Sequence, residues 1–132
     1  MKCIVLIGKD RNYNNNVSDI LCKMGYKLIE KEKYIEDIDA SALKKYIRLT
    51  DDIIIHKPRG YGKYIINLEE NEVETFTKAF CKNETIVFYI VDSTESTVKD
   101  KEATIIYKQD NLNVIIAYIL KKVKEANHEA MR

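Results

Sequence analysis

The stretch Gly8-Lys9-Asp10-Arg11-Asn12-Tyr13-Asn14-Asn15-Asn16 gathers a glycine, two cations and four asparagines within nine residues. It follows a continuous apolar run over 3–7 and precedes Val17, Ile20, Leu21 and Met24, which fall at helical spacing. A strand, a glycine-led loop and a helix start form a place where backbone N–H groups can hold a phosphate. Asparagine tolerates left-handed backbone angles better than most residues. Asn14, Asn15 and Asn16 can therefore shape such a loop, with Gly8 opening it and Lys9 and Arg11 supplying charge. The competing reading is a polar turn that only joins strand to helix.

A second cluster is His56-Lys57-Pro58-Arg59-Gly60-Tyr61-Gly62-Lys63. It holds the only proline and two of the four glycines, which makes it a loop. Lys57, Arg59 and Lys63 offer contacts to a phosphate or an acidic partner, Arg59 in bidentate fashion. Tyr61 and Tyr64 offer faces on which a base can stack. A solvated connection between two strands is the alternative. Asp51-Asp52 and Glu69-Glu70 read as turn and helix-start carboxylates in preference to metal ligands or a general base. Neither His56 nor His128 has a Cys or second His at ligand spacing, so no metal site is expected. Cys22 lacks a paired histidine in sequence and does not read as a nucleophile.

The elements that would position these residues alternate along the chain. Residues 3–7 fit a strand covered on both faces, and Gly25 suits the position just past a helix end. Short strands follow at 26–30 and 53–55, separated by an exposed charged stretch over 31–37 and a helix over 40–48 capped by Asp39. A strand over 64–68 leads into a helix with Asn71 and Glu74 at capping-box spacing, ending near Cys81. Residues 86–91 form the strongest strand. Residues 92–102 are polar, 104–107 make a last strand, and Asp110 or Asn111 caps a final helix that frays from Asn127. This order predicts one α/β domain over 1–132, a three-layer sandwich around a mainly parallel five-stranded sheet with right-handed crossovers.

Composition narrows the partners. Lys and Arg number 22 against 21 Asp and Glu, a net charge of +1, so no overall field favours nucleic acid or an anionic membrane. The apolar run over 114–120 is too short to span a bilayer. Met1-Lys2 runs directly into a strand, with no signal peptide. Three cysteines, an odd number without a CxxC pair, suggest free thiols in the cytoplasm.

Element order and hydrophobic pattern together resemble the nucleoside monophosphate kinase group of P-loop proteins, guanylate kinase in particular. The opening IVLIG with its loop and helix into Met24-Gly25-Tyr26 is similar to that family's first βα unit. IINLEENEVETFTKAF over 65–80, FYIVDSTEST over 88–97 and ATIIYKQDNLNVIIAYILKKVKEA over 103–126 are similar to its later units. The family's phosphate loop is G-x-x-x-x-G-K-[ST]. Counted from Gly8, this chain puts Tyr13 at the second glycine, Asn14 at the lysine and Asn15 at the hydroxyl. The lysine would bring charge to the phosphates and the hydroxyl would hold Mg²⁺. The interval between Val91 and Ala103, where the family's lid carries arginines, has only Lys99 and Lys101. KPRGYGKY over 57–64 resembles a remnant of the family's basic acceptor site. The resemblance thus implies a P-loop-kinase-like fold whose catalytic groups are missing. The function expected is non-catalytic binding of a nucleotide or phosphate ligand, with Mg²⁺ not expected. The alternatives are a minimal active kinase and a self-associating scaffold, such as a homodimer, with no small ligand.

Overall fold

The structure is a computed structural model, and it describes residues 2–58, 60, 62–92 and 104–130. In chain order the elements are β1 (Lys2–Ile7), α1 (Arg11–Lys23), β2 (Lys27–Leu28), β3 (Glu32–Lys33), α2 (Ala40–Leu43), β4 (Tyr46–Arg48) and β5 (Ile53–His56). β6 (Lys63–Leu68), α3 (Val73–Ala79), β7 (Thr85–Val91), β8 (Thr104–Tyr107) and α4 (Leu112–Ala130) complete the chain. Five strands form one parallel sheet in the order β2-β6-β1-β7-β8, with β1 at its centre.

The central place of β1 follows from its composition. Cys3, Val5 and Ile7 point into one core, Ile4 and Leu6 into the other, and all are buried. On one side, Val17 and Leu21 of α1 pack with Ile115, Ile116 and Ile119 of α4 against Ile65, Phe88 and Ile90. On the other, Val73 and Phe76 of α3, with Phe80 just after it, pack with Ile47, Leu49 and Ile55 against Tyr64, Ile66 and Leu68. Each side chain of this size taken fully out of water contributes about 1.5–3 kcal/mol. These are the three layers and five-stranded parallel sheet expected of a P-loop-kinase-like α/β fold.

Several local expectations need correction. α1 starts at Arg11, so the loop expected over 8–16 is reduced to Gly8-Lys9-Asp10, and Asn14, Asn15 and Asn16 lie on the helix. The cause is Asp10, whose carboxylate accepts from Tyr13 N at 3.1 Å and caps the helix early. The other end matches expectation: Gly25, at φ +103°, closes a Schellman turn in which Tyr26 N donates to Leu21 O and Gly25 N to Cys22 O.

The helix expected over 40–48 ends at Leu43, because residues 46–48 pair with β5 as β4. Ile47 and Leu49 are buried while Arg48 is exposed, a period-2 signal inside the supposed helix. β3, β5 and β4 then form a separate antiparallel sheet, so the strand expected at 53–55 is not part of the main sheet. The capping box before α3 uses Glu69 and Glu72, two residues upstream of the expected Asn71 and Glu74. α4 begins after Asn111, whose Oδ1 accepts from Asn113 N, and continues past Asn127 to Ala130. Cys3 is buried and Cys22 partly so, but Cys81 is exposed.

Candidate functional site

β1 ends at Ile7, and the next position, Gly8, has no room for a side chain. A Cβ there would stand 2.6 Å from Ile90 O and 3.0 Å from Asn14 Nδ2. The glycine thus lets the strand end lie against β7 and lets the first turns of α1 close over it.

Asp10 then turns the chain into α1. Lys108, just past β8, donates to Asp10 Oδ2 at 2.9 Å and also pairs with Asp92 at 3.1 Å. The Lys108 hydrogen bond, followed by the Tyr13 N–H, holds the Asp10 carboxyl below the usual aspartate range. Lys108 is raised in turn, first by Asp10, with its partial shielding from water opposing. Tyr13, at the resemblance's second glycine position, donates to Gln109 O at 2.8 Å and accepts from Gln109 N at 2.9 Å. Its ring lies 5.6 Å from Lys108 Nζ, within cation–π range. The segment after β8 therefore pins the start of α1.

Along the inner side of α1 the asparagines meet β6. Asn67 shares the α1-facing side of β6 with Ile65, by strand alternation. Its Oδ1 lies 3.0 Å from Ser18 Oγ, and its Nδ2 donates to Asn15 Oδ1 at 2.9 Å. Asn14 is buried, and its Oδ1 has no hydrogen-bond partner among the described residues.

A cleft of about 390 Å³ opens at the carboxyl ends of β1, β2 and β6. Gly8, Arg11, Asn14 and Asn15 form one wall, residues 28–31 another, and Asn67, Leu68 and Glu69 a third. Ligands of open parallel sheets bind at such strand ends. Each cation in the cleft wall has a carboxylate. Arg11 pairs with Glu69, both largely exposed. Lys31 donates to Glu72 Oε1 at 2.7 Å, and that same oxygen accepts from Glu69 N at 2.7 Å. Glu72 is 1% exposed, and its Oε2 has no partner among the described residues.

The structure thus brings Gly8, Arg11, Asn14 and Asn15 to one cleft, and leaves Lys9 and Asn16 on the exposed surface beside it. It does not bring the second cluster there. Lys63 opens β6 and Leu68 ends it, so at strand rise the two clusters are about 17 Å apart along the sheet. Lys57 is exposed and Lys63 lies 5.7 Å from the Tyr26 ring. Tyr64 is a core residue whose ring sits over Gly62, so its face is not open for stacking. Arg59, Tyr61 and the lid interval with Lys99 and Lys101 lie outside the described residues. Sequence reasoning missed Ser18, Lys31, Asn67 and Glu72. Asn67 carries a signal in the sequence, as the one polar residue within the apolar run Ile65-Ile66-Asn67-Leu68. Among the described residues no group of three or more His, Cys, Asp or Glu could hold a metal ion. No helix there is long and apolar enough to cross a membrane.

No protein-family model matches the chain. No curated protein matches it. Among solved structures, the crystal structure of guanylate kinase from Anaplasma phagocytophilum matches over 99% of this chain and 87% of that one, with a TM-score of 0.55 and 7% sequence identity. At that identity the likeness is one of fold: the chain has a guanylate-kinase-like architecture.

Proposed function

We propose that this protein binds a nucleotide or a related phosphate-bearing ligand in the cleft at the carboxyl ends of β1, β2 and β6, and that it transfers no phosphoryl group. The observation that carries this reading is the start of α1. A two-residue link and an Asp10 cap stand where a lysine-bearing phosphate loop would be. Phosphoryl transfer depends on positioning and charge neutralisation. The lysine position holds buried Asn14, and the hydroxyl position holds Asn15, engaged with Asn67. Neither supplies the positive charge or the Mg²⁺ ligand that the resemblance would require.

Binding asks for less. Among the described residues of the cleft wall, Arg11 is the cation that can leave its partner for a phosphate, because an exposed pair such as Arg11–Glu69 is worth only about 0–1 kcal/mol. Its guanidinium can then grip the phosphate in bidentate fashion. Lys31 is committed to buried Glu72 and contributes less. The free thiols fit a cytoplasmic setting. Self-association without a small ligand is the second reading, favoured by exposed Ile105 and Tyr107 on β8 at the edge of the sheet.

The test is a thermal-shift screen over nucleoside mono-, di- and triphosphates and inorganic phosphate. The expected result is a raised Tm with a nucleotide, weakened in Arg11→Ala, and no turnover of ATP with a nucleoside monophosphate and Mg²⁺. A scaffold would show no shift and would run as an oligomer on sizing. A kinase would turn over.

A further inference from the structure

We propose that the α1 wall of the cleft reads the edge of a nucleobase bearing an N–H donor, with the phosphate turned outward to Arg11. This rests on the reading of the cleft as a nucleotide-class site, and it names the part of the ligand that the site recognises.

Three observations lead to it. Asn14 is 3% exposed and lines the cleft beside Gly8, yet its Oδ1 accepts from nothing among the described residues. Buried side-chain oxygens are ordinarily paired, so an orphan in a cleft wall marks a missing donor. Phosphate oxygens are acceptors, and a phosphate does not fill that need. Secondly, Asn15 beside it has its Oδ1 taken by Asn67, and its Nδ2 donates to no described residue. An unpaired acceptor and an unpaired donor lining the same wall match a planar heterocycle edge that presents a donor and an acceptor. A single asparagine amide makes that pairing with adenine; here the two groups would come from successive side chains. Thirdly, the charges on the cleft walls cancel, with Arg11 and Lys31 against Glu30 and Glu69. Such a cavity draws a neutral polar ring inward more readily than a polyphosphate.

Gly8 completes the arrangement. A Cβ there would lie 3.0 Å from Asn14 Nδ2, so the glycine leaves the amide space to turn about its last bond toward the cleft. After that turn the amide still offers one acceptor and one donor. The 390 Å³ volume is within the range of small-ligand sites.

The test is calorimetric titration of the full chain with adenosine, cytidine, purine riboside, adenosine 5′-monophosphate, cytidine 5′-monophosphate, ribose 5-phosphate and inorganic phosphate. Purine riboside keeps the ring and sugar of adenosine but lacks the amino group. At least one amino-bearing nucleoside should bind without any phosphate, with adenosine exceeding purine riboside by about tenfold or more. Asn14→Leu should melt no lower than wild type, since it removes an unpaired buried acceptor, yet should lose that preference. A purely structural asparagine would show the opposite pattern. Asn15→Ala, at an exposed helix position, should weaken nucleoside binding by a similar factor and decides the matter if Asn14→Leu does not fold. Equal binding of adenosine and purine riboside, or ribose 5-phosphate binding as tightly as adenosine 5′-monophosphate, overturns the base assignment and leaves the nucleotide-site reading standing. Absence of binding by every probe, mononucleotides included, overturns both.

Discussion

Replacing Lys31 by methionine should destabilise the fold far more than its place on a cleft wall suggests. Glu72 is buried at the start of α3, and Lys31 is the cation that meets it. Removing one partner of a fully buried ion pair costs about 3–5 kcal/mol, because the remaining charge is uncompensated. The Lys31 side chain is 28% exposed, so water reaches this pair and screens it. With that discount the expected loss is about 2 kcal/mol. For a domain of this size it corresponds to a Tm lowered by roughly 6–10 °C. Glu72→Gln keeps an acceptor for Glu69 N and leaves Lys31 partly solvated, so it should lose only about 1 kcal/mol. The double variant removes both charges and should recover part of the loss, with a coupling of about 1 kcal/mol or more in the cycle. Urea unfolding of the four proteins at one pH measures it. A Lys31→Met variant within 0.5 kcal/mol of wild type, or strict additivity in the double variant, would refute the reasoning.

Arg11→Ala, by contrast, breaks an exposed pair and should change stability by less than about 0.5 kcal/mol in the same assay, while weakening ligand-dependent stabilisation. Gly8→Ala forces a Cβ against Ile90 O, a backbone atom that cannot swing aside, and should cost about 1–3 kcal/mol by thermal melting. The Asp10 carboxyl has a folded pKa below its ordinary 3.8, so its contribution is complete above that value and disappears as pH falls through the lower one. Asp10→Asn should therefore melt below wild type near neutral pH, with the gap closing in acid. Lys108 is raised, so its share is lost only on the alkaline side, as pH climbs through its folded value.

The fold was legible where burial pattern and chain order agreed. The apolar runs at 3–7, 64–68 and 86–91 are parallel strands covered on both sides, and Gly25 ends its helix as its position implies. It was not legible where short-range signals competed. Residues 46–49 carry helical spacing with Leu43 and strand alternation among themselves, and the pairing with β5 decided between them. At the candidate site, Gly8, Arg11, Asn14 and Asn15 stood out by type. Reading them as loop residues missed that an aspartate at position 10 caps a helix before the asparagines begin. Lys31, Asn67 and Glu72 come from separate segments brought together by β2 and β6, a convergence that local spacing does not encode. The basic cluster at 57–64 stands out by charge, but Lys63 and Tyr64 sit at the opposite end of β6 from the cleft.

The most direct test follows backbone amide resonances while a nucleoside monophosphate is added, with phosphorus spectra recorded in the same tube after ATP and Mg²⁺. Binding in the cleft without phosphoryl transfer should gather the shifts at Gly8, Arg11, Asn15, Lys31 and Asn67 and leave the ATP signals unchanged over hours. Shifts confined to residues 57–64, or the appearance of ADP in step with a nucleoside diphosphate, would contradict it.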